Sequence, residues 1–406
     1  MDGQAVFHAT PHQLNATSDP LYHIISGSFR SLSLFLLAFS PFHRTLSLIQ
    51  RVPAFGPHQY LAKNDRGDRV YATSWAQPPA LSSWSIEKSD DHPWSIAHLN
   101  TASITATSSY ISIPPPYTHL YSAGGPTGEV HAVDPSSGGF GEKVQQILFV
   151  PDDELLQADK SRAALRYGSH AVEISSRGQA FIPVLGTNSI RMYNVDHKSG
   201  HLSLLSDTKS PREHDGPRHV VISPDGRVLY SVTEHTSFVD VYNVTETTLV
   251  HLQSISILPP DSNPSDYRGD TLRLRPPSPK SSSPNHLFAT TRGFDTSHKG
   301  FIAVFSILPT GLLDAHESKI ERWQTPTSGG KANAIELKAK IAEDTIGSDR
   351  GAEGVWIALT DDEPDGGGLW ILEWDGEGTG GFKIVVEWSS EGGVPMDGAS
   401  HAIWLD

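Results

Sequence analysis

Along this chain apolar residues come in short runs and alternations, without helical spacing. Phe238-Val-Asp-Val-Tyr242 alternates apolar with polar, Val250-His-Leu-Gln-Ser-Ile255 follows it, and Leu32 to Phe39 is a nearly unbroken apolar run. Each pattern reads as a β-strand. Between the runs stand Gly, Pro, Asp and Ser, the residues that tight turns require.

Three segments align with one another almost without gaps: Gly56 to Ala72, Gly168 to Val184 and Gly216 to Val232. Each reads as strand, tight turn, strand, because Arg-Gly or Asp-Gly supplies the positive φ of a hairpin turn between β-branched and aromatic neighbours. Two more strands follow, so four antiparallel strands make one unit. Weaker copies of the first strand lie at Ser108 to Ile113, Asp270 to Arg275, Lys331 to Leu337 and Ser400 to Leu405. That makes seven units spaced roughly 50 to 70 residues apart, which predicts an all-β, seven-bladed β-propeller of four-stranded antiparallel blades.

The last copy, Ser400 to Leu405, has no chain after it to complete a blade, while Leu21 to Gly27, Ser31 to Phe39 and Thr45 to Arg51 are three unmatched strands. One blade is therefore predicted to combine strands from both ends of the chain, which removes the exposed sheet edges of an open array. Residues 1–20 read as a loose tail and 21–406 as a single propeller domain. Three segments stand outside the plain repeat: Asp152 to Arg166, expected to be a short helix over one face; Pro276 to Asn285, a mobile Pro/Ser loop; and Asp361 to Gly368, a solvated acidic connector.

Composition narrows the function classes. With 35 Gly, 29 Pro and only 19% charged residues in 406, the chain is unsuited to a helical bundle. A net charge of −15 with no basic cluster argues against binding the nucleic-acid backbone. The absence of cysteine excludes disulfides, thiolate nucleophiles, zinc ribbons and Fe–S clusters. No apolar stretch reaches the ~20 residues of a membrane span and no secretory signal is seen, so a cytoplasmic protein with no membrane partner is expected. The sequence leaves room for a homo-oligomer.

Strand direction alternates, so the start of each innermost strand and the end of the next share one rim of the propeller. On that rim fall His170, Arg218, His219, Glu234, His235, Arg292 and His401, with the Asp-Gly turns and the Pro/Ser loop on the other. Two arginines, a histidine and a glutamate in an acidic protein read as an anion site with acid/base capability, and small polycarboxylates suit the arginine fork. His170, Glu234, Arg218 and Arg292 are the catalytic candidates; Arg218, Arg292, His219 and His401 are the substrate-binding ones. The plainer roles are a strand-capping histidine and a structural Arg218–Glu234 ion pair, and an ion pair can also support a site. Several convergent carboxylates, a Gly-x-Ser-x-Gly elbow and a phosphate-cradling loop are all missing, so no metal and no cofactor are expected.

The run Gly216-Pro-Arg-His-Val-Val-Ile-Ser-Pro-Asp-Gly-Arg-Val-Leu-Tyr-Ser-Val-Thr-Glu234 resembles the signature of the seven-bladed lactonase family, which includes the 6-phosphogluconolactonase-type propellers. Within it the stretches Gly168-Ser-His-Ala-Val, Thr233-Glu-His-Thr and Thr290-Thr-Arg-Gly-Phe are most similar to the fungal 3-carboxy-cis,cis-muconate lactonizing enzymes, the carboxymuconate cyclases. The likeness is strongest from about residue 165 to 310. It implies a cofactor-free intramolecular lyase, of the isomerase class, that closes 3-carboxy-cis,cis-muconate to carboxymuconolactone in the protocatechuate branch of aromatic catabolism. It also implies active-site roles for His170, Arg218, Glu234 and Arg292. The alternative within the family is a lactone hydrolase of the 6-phosphogluconolactonase type.

Overall fold

The hairpin turns form as the glycines require: Gly67, Gly178 and Gly226 take φ of +63°, +74° and +70°, each between the first and second strands of a blade. The structure is a computed structural model that describes residues 20–406 apart from 58–59, 90–91, 279–281, 342–343, 345–353, 365, 377–380, 389–395 and 397. Among the described residues, seven four-stranded antiparallel sheets form the blades of a propeller. Blade one joins Tyr22–Ser28, Ser33–Ser40 and Thr45–Pro53 to Ala399–Trp404, with Ile24 opposite Trp404 and Ile25 opposite Ile403. Blades two to seven follow in chain order, beginning at Leu61, Tyr110, Glu173, Pro217, Tyr267 and Asn333.

Burial explains the strand patterns. Sheets packed on both faces need continuous apolar strands, and Ser33–Ser40 is buried at every position, whereas the outermost strand Thr45–Pro53 is largely open. The core therefore lies in the wedges between adjacent blades. Ile24, Phe35 and Trp404 meet Trp356 and Ile371 of blade seven, while Ile25, Leu36 and Ile403 meet Leu61, Val70 and Trp84 of blade two. The polar channel along the axis is left to the innermost strands.

Two expectations are corrected. Asp152 to Arg166 is no single helix but two 3-10 turns, Asp152–Glu154 and Arg162–Arg166. The Asp159 carboxylate and the Ser161 hydroxyl accept hydrogen bonds from the backbone N–H groups of Ser161 and Ala163, at 2.7 and 3.2 Å, and break the run between them. Asp361 to Gly368 does not begin as a solvated connector. Asp361, Asp362 and Glu363 are buried, taken up by Thr327, by Arg30 and Lys331, and by Ser328 respectively. The Pro/Ser loop does join the first two strands of blade six on the far rim, where Pro276 lines the channel mouth; its residues 279–281 lie outside the described residues, as do residues 1–19 of the expected tail. No helix among the described residues is long and apolar enough to cross a membrane.

Candidate active site

The channel opens into a funnel at each end. The larger, of about 910 Å³, is lined by His170, Arg218, Glu234, His235 and Arg292. The rim assignment thus holds for four catalytic candidates and for His235.

Backbone geometry brings them together. Gly216, at φ +63°, turns the chain into the first strand of blade five, and its carbonyl accepts from Glu234 N at 2.8 Å. Gly269 N donates to Glu234 O at 2.9 Å, and a Cβ on Gly269 would meet Thr233 O at 2.2 Å. Only glycine lets blade six approach Glu234 this closely. His170 is fixed through its main chain, its N–H donating to Pro183 O at 3.2 Å and its carbonyl accepting from Ser109 Oγ at 3.4 Å.

At the floor of the funnel four charged groups close a ring. Arg218 Nε donates to Glu234 Oε2 at 3.1 Å and Arg218 Nη1 meets Asp270 Oδ1 at 2.7 Å. Arg292 Nη2 donates to Glu234 Oε1 at 3.2 Å and Arg292 Nε lies 3.7 Å from Asp270 Oδ2. Asp270, 1% exposed, is itself held by Asn333 N at 2.9 Å. Alternating sign fixes both guanidinium planes, and neither Arg218 Nη2 nor Arg292 Nη1 hydrogen-bonds to any described residue. Those are the donors the floor can offer to an anion.

The ring also separates the titration of its two proton-bearing candidates. Burial opposes ionisation of Glu234, but Arg292 and then Arg218 outweigh it and hold the carboxyl at about 2. For His170, burial first and then Arg218 push the imidazole down to about 3, with Glu234 pulling the other way. Glu234 is a fixed carboxylate, and His170 is the group whose proton can be moved by what binds beside it.

An unfolded histidine takes up its proton near pH ~6.5, whereas folded His170 does so only near 3. Between those values the unfolded chain binds more protons, so this contribution to stability is full above ~6.5 and is lost as pH falls. Urea unfolding from pH 7 to 5 should therefore show a declining stability whose slope is shallower in His170→Gln; equal slopes would contradict a neutral buried imidazole.

Two of the substrate-binding candidates sit elsewhere. His401 is a correction: it lines the opposite funnel, of about 610 Å³, with Tyr60, Tyr110, Glu173, Arg273 and Glu336. The two inner strands carry the same irregularity, Ser28 facing Ala399 as Thr233 faces Pro217, so His401 is level with His219 and one residue deeper than Arg218. There its ring stacks on Tyr60 at 3.9 Å and accepts from Leu61 N at 3.1 Å. His219 occupies the corresponding deep position, 3% exposed, at the waist between the funnels. Its Nε2 lies 3.2 Å from Arg218 Nη1, which can only donate, so the ring supports that arginine from below.

Sequence reasoning missed Asp270, which carries no motif, and the crown of cations above the ring: Arg162, Arg166, Arg268 and Lys331 also line the funnel. Arg162 and Arg166 come from the segment expected to be a helix, and Arg268 opens the inner strand of blade six. Among the described residues no cluster of three or more His, Asp or Glu is placed to hold a metal ion.

Known proteins share this fold. Residues 26–327 match the family model described as lactonase, seven-bladed β-propeller. The chain is 31% identical over 359 residues to muconate cycloisomerase 1 of Cutaneotrichosporon cutaneum, covering 86% of this chain and 90% of that one. It is 29% identical over 175 residues to the carboxy-cis,cis-muconate cyclase of Neurospora crassa, covering 41% and 42%. The periplasmic gluconolactonase PpgL of Pseudomonas aeruginosa superposes with a TM-score of 0.67 over 91% of this chain and 96% of that one at 15% identity, which speaks to the fold alone. By sequence, blade architecture and the extent of the match, the chain belongs to the lactonase family of seven-bladed β-propellers.

Proposed function

We propose that this protein is a cofactor-free cycloisomerase that closes 3-carboxy-cis,cis-muconate to carboxymuconolactone. One observation carries the reading: two fixed guanidiniums with open donors lie beside a neutral imidazole, beneath a crown of further cations. A small polyanion matches the open donors of Arg218 and Arg292, and the names of two relatives point to muconates.

In the reaction one substrate carboxylate attacks an alkene carbon. A C–O bond forms, the π bond breaks, and its electron pair moves toward the α-carbon and the carboxylate conjugated with it. Arg218 and Arg292 meet the charge that grows on that carboxylate, which is electrostatic stabilisation aimed at the transition state. The α-carbon then needs a proton. Bound carboxylates raise the proton affinity of His170, so the imidazole charges as the substrate arrives and serves as general acid. Glu234, locked between the two arginines, positions them.

Lactone hydrolysis is the second reading, favoured by the same neutral imidazole, which could take a proton from water. Loss of muconate absorbance should be followed beside hydrolysis of a sugar lactone and its 6-phosphate. Cyclisation of carboxymuconate at the higher kcat/KM supports the first reading; hydrolysis alone overturns it.

A further inference from the structure

The first two strands of blade six are antiparallel, and their register sets Arg268 directly opposite Arg292. Residues so paired project on the same face, and both line the reaction-side funnel. Like charges opposite one another on a sheet are unfavourable unless something compensates them. Arg292 has Glu234 and Asp270. Arg268 has no carboxylate partner among the described residues. Its Nη1 donates to the backbone carbonyls of Ser265 and Tyr267, at 3.2 and 2.6 Å, and its guanidinium lies 4.6 Å from the centre of the Phe294 ring. The side chain is thus held in place, while Nε and Nη2 make no hydrogen bond to a described residue.

Arg268 is therefore preorganised through Nη1, with Nε and Nη2 left to donate, one strand from the arginine that faces the reacting group. We propose that Arg268 is a specificity-determining residue: it binds an anionic group of the substrate that takes no part in bond making, and so selects a ligand with three carboxylates over one with two. The inference rests on the cyclase reading for the identity of the substrate, but it is a statement about anion selection that binding alone can test. Burial and the neighbouring Arg292 weaken the hold of Arg268 on its own charge, with Glu234 opposing them in part, and a bound anion acts in the same direction as Glu234.

The test compares ligands that differ by one carboxylate. Propane-1,2,3-tricarboxylate and glutarate share a three-carbon spine, with and without the central carboxylate. The wild-type protein should bind the former ~10- to 100-fold more tightly by calorimetry, the range expected for one charge-assisted contact. In Arg268→Gln that ratio should collapse toward one, with glutarate affinity changed by less than about threefold and the melting temperature preserved. The same variant should lose kcat/KM on carboxymuconate by ~10- to 100-fold through KM, with little effect on cis,cis-muconate. Unchanged discrimination in a folded Arg268→Gln overturns the proposal. So does parallel loss of both ligands, which would mark Arg268 as a general anchor. If neither muconate is turned over by the wild-type protein, the cyclase reading fails while the binding ratio still decides the role of Arg268.

Discussion

Arg218→Ala should lower kcat/KM for carboxymuconate by at least ~100-fold. Charge-assisted hydrogen bonds contribute about 1.5 to 3 kcal/mol each, and a contact that strengthens in the transition state appears in kcat as well as in KM. Arg218→Lys should fall between alanine and wild type, because it keeps the charge but loses the planar fork that reaches Glu234, Asp270 and His219 together. Alanine also breaks the ring of alternating charge. Asp270 would be left buried with Arg292 at 3.7 Å as its remaining cation, and uncompensated buried charge destabilises by roughly 3 to 5 kcal/mol. The double variant Arg218→Ala with Asp270→Asn removes one charge of each sign, so it should melt above the single alanine variant while remaining as inactive. Turnover on carboxymuconate that survives Arg218→Ala in a folded protein would remove this ring from the mechanism.

The contrast between Arg218 and Asp270 shows what the sequence makes legible. Arg218 and Glu234 lie inside a repeat whose Asp-Gly turn sets the phase, so their rim could be read from strand direction. Arg292 could be placed because it ends an apolar strand despite the Pro/Ser loop before it. Asp270 sits in an equally recognisable inner strand of the neighbouring blade, but its spacing does not show that its carboxylate reaches across to Arg218. His401 failed because of its place in the repeat: the pairing of Ala399 with Ser28 and of Pro217 with Thr233 makes it the counterpart of His219, one position deeper than Arg218 and past the waist of the channel. The buried Asp361, Asp362 and Glu363 were misread because carboxylates followed by glycines look like a solvated loop unless their partners Thr327, Arg30, Lys331 and Ser328 are known. Strand patterns repeat and so place residues on a rim, as they did Arg292 and Glu234; which side chains then pair across two blades is set once and is not carried by the repeat.

The closure of the ring carries the largest stability effect. Deleting residues 400–406 should abolish the cooperative melting of the intact protein, because the strand Ala399–Trp404 serves two wedges at once. Trp404 packs with Phe35, Phe39 and Trp356 on one side of blade one, and Ile403 and Leu405 pack with Leu61 and Trp84 on the other. Removing a buried isoleucine and a buried tryptophan amounts to roughly 5 to 10 kcal/mol, comparable to the whole stability of a domain. The deletion also exposes the backbone of Tyr22–Ser28 as a new sheet edge and takes away the stacking partner of Tyr60 at the far funnel. Trp404→Ala alone should cost about 3 to 5 kcal/mol in urea unfolding, a change small enough to leave a folded reference. Supplying residues 399–406 as a separate peptide should restore part of the lost transition, since the strand binds by the register that joins it in the intact chain. A truncated protein that melts like the full chain would mean that the seventh-to-first junction is held by other contacts, and that the strands from the two ends of the chain do not close the propeller.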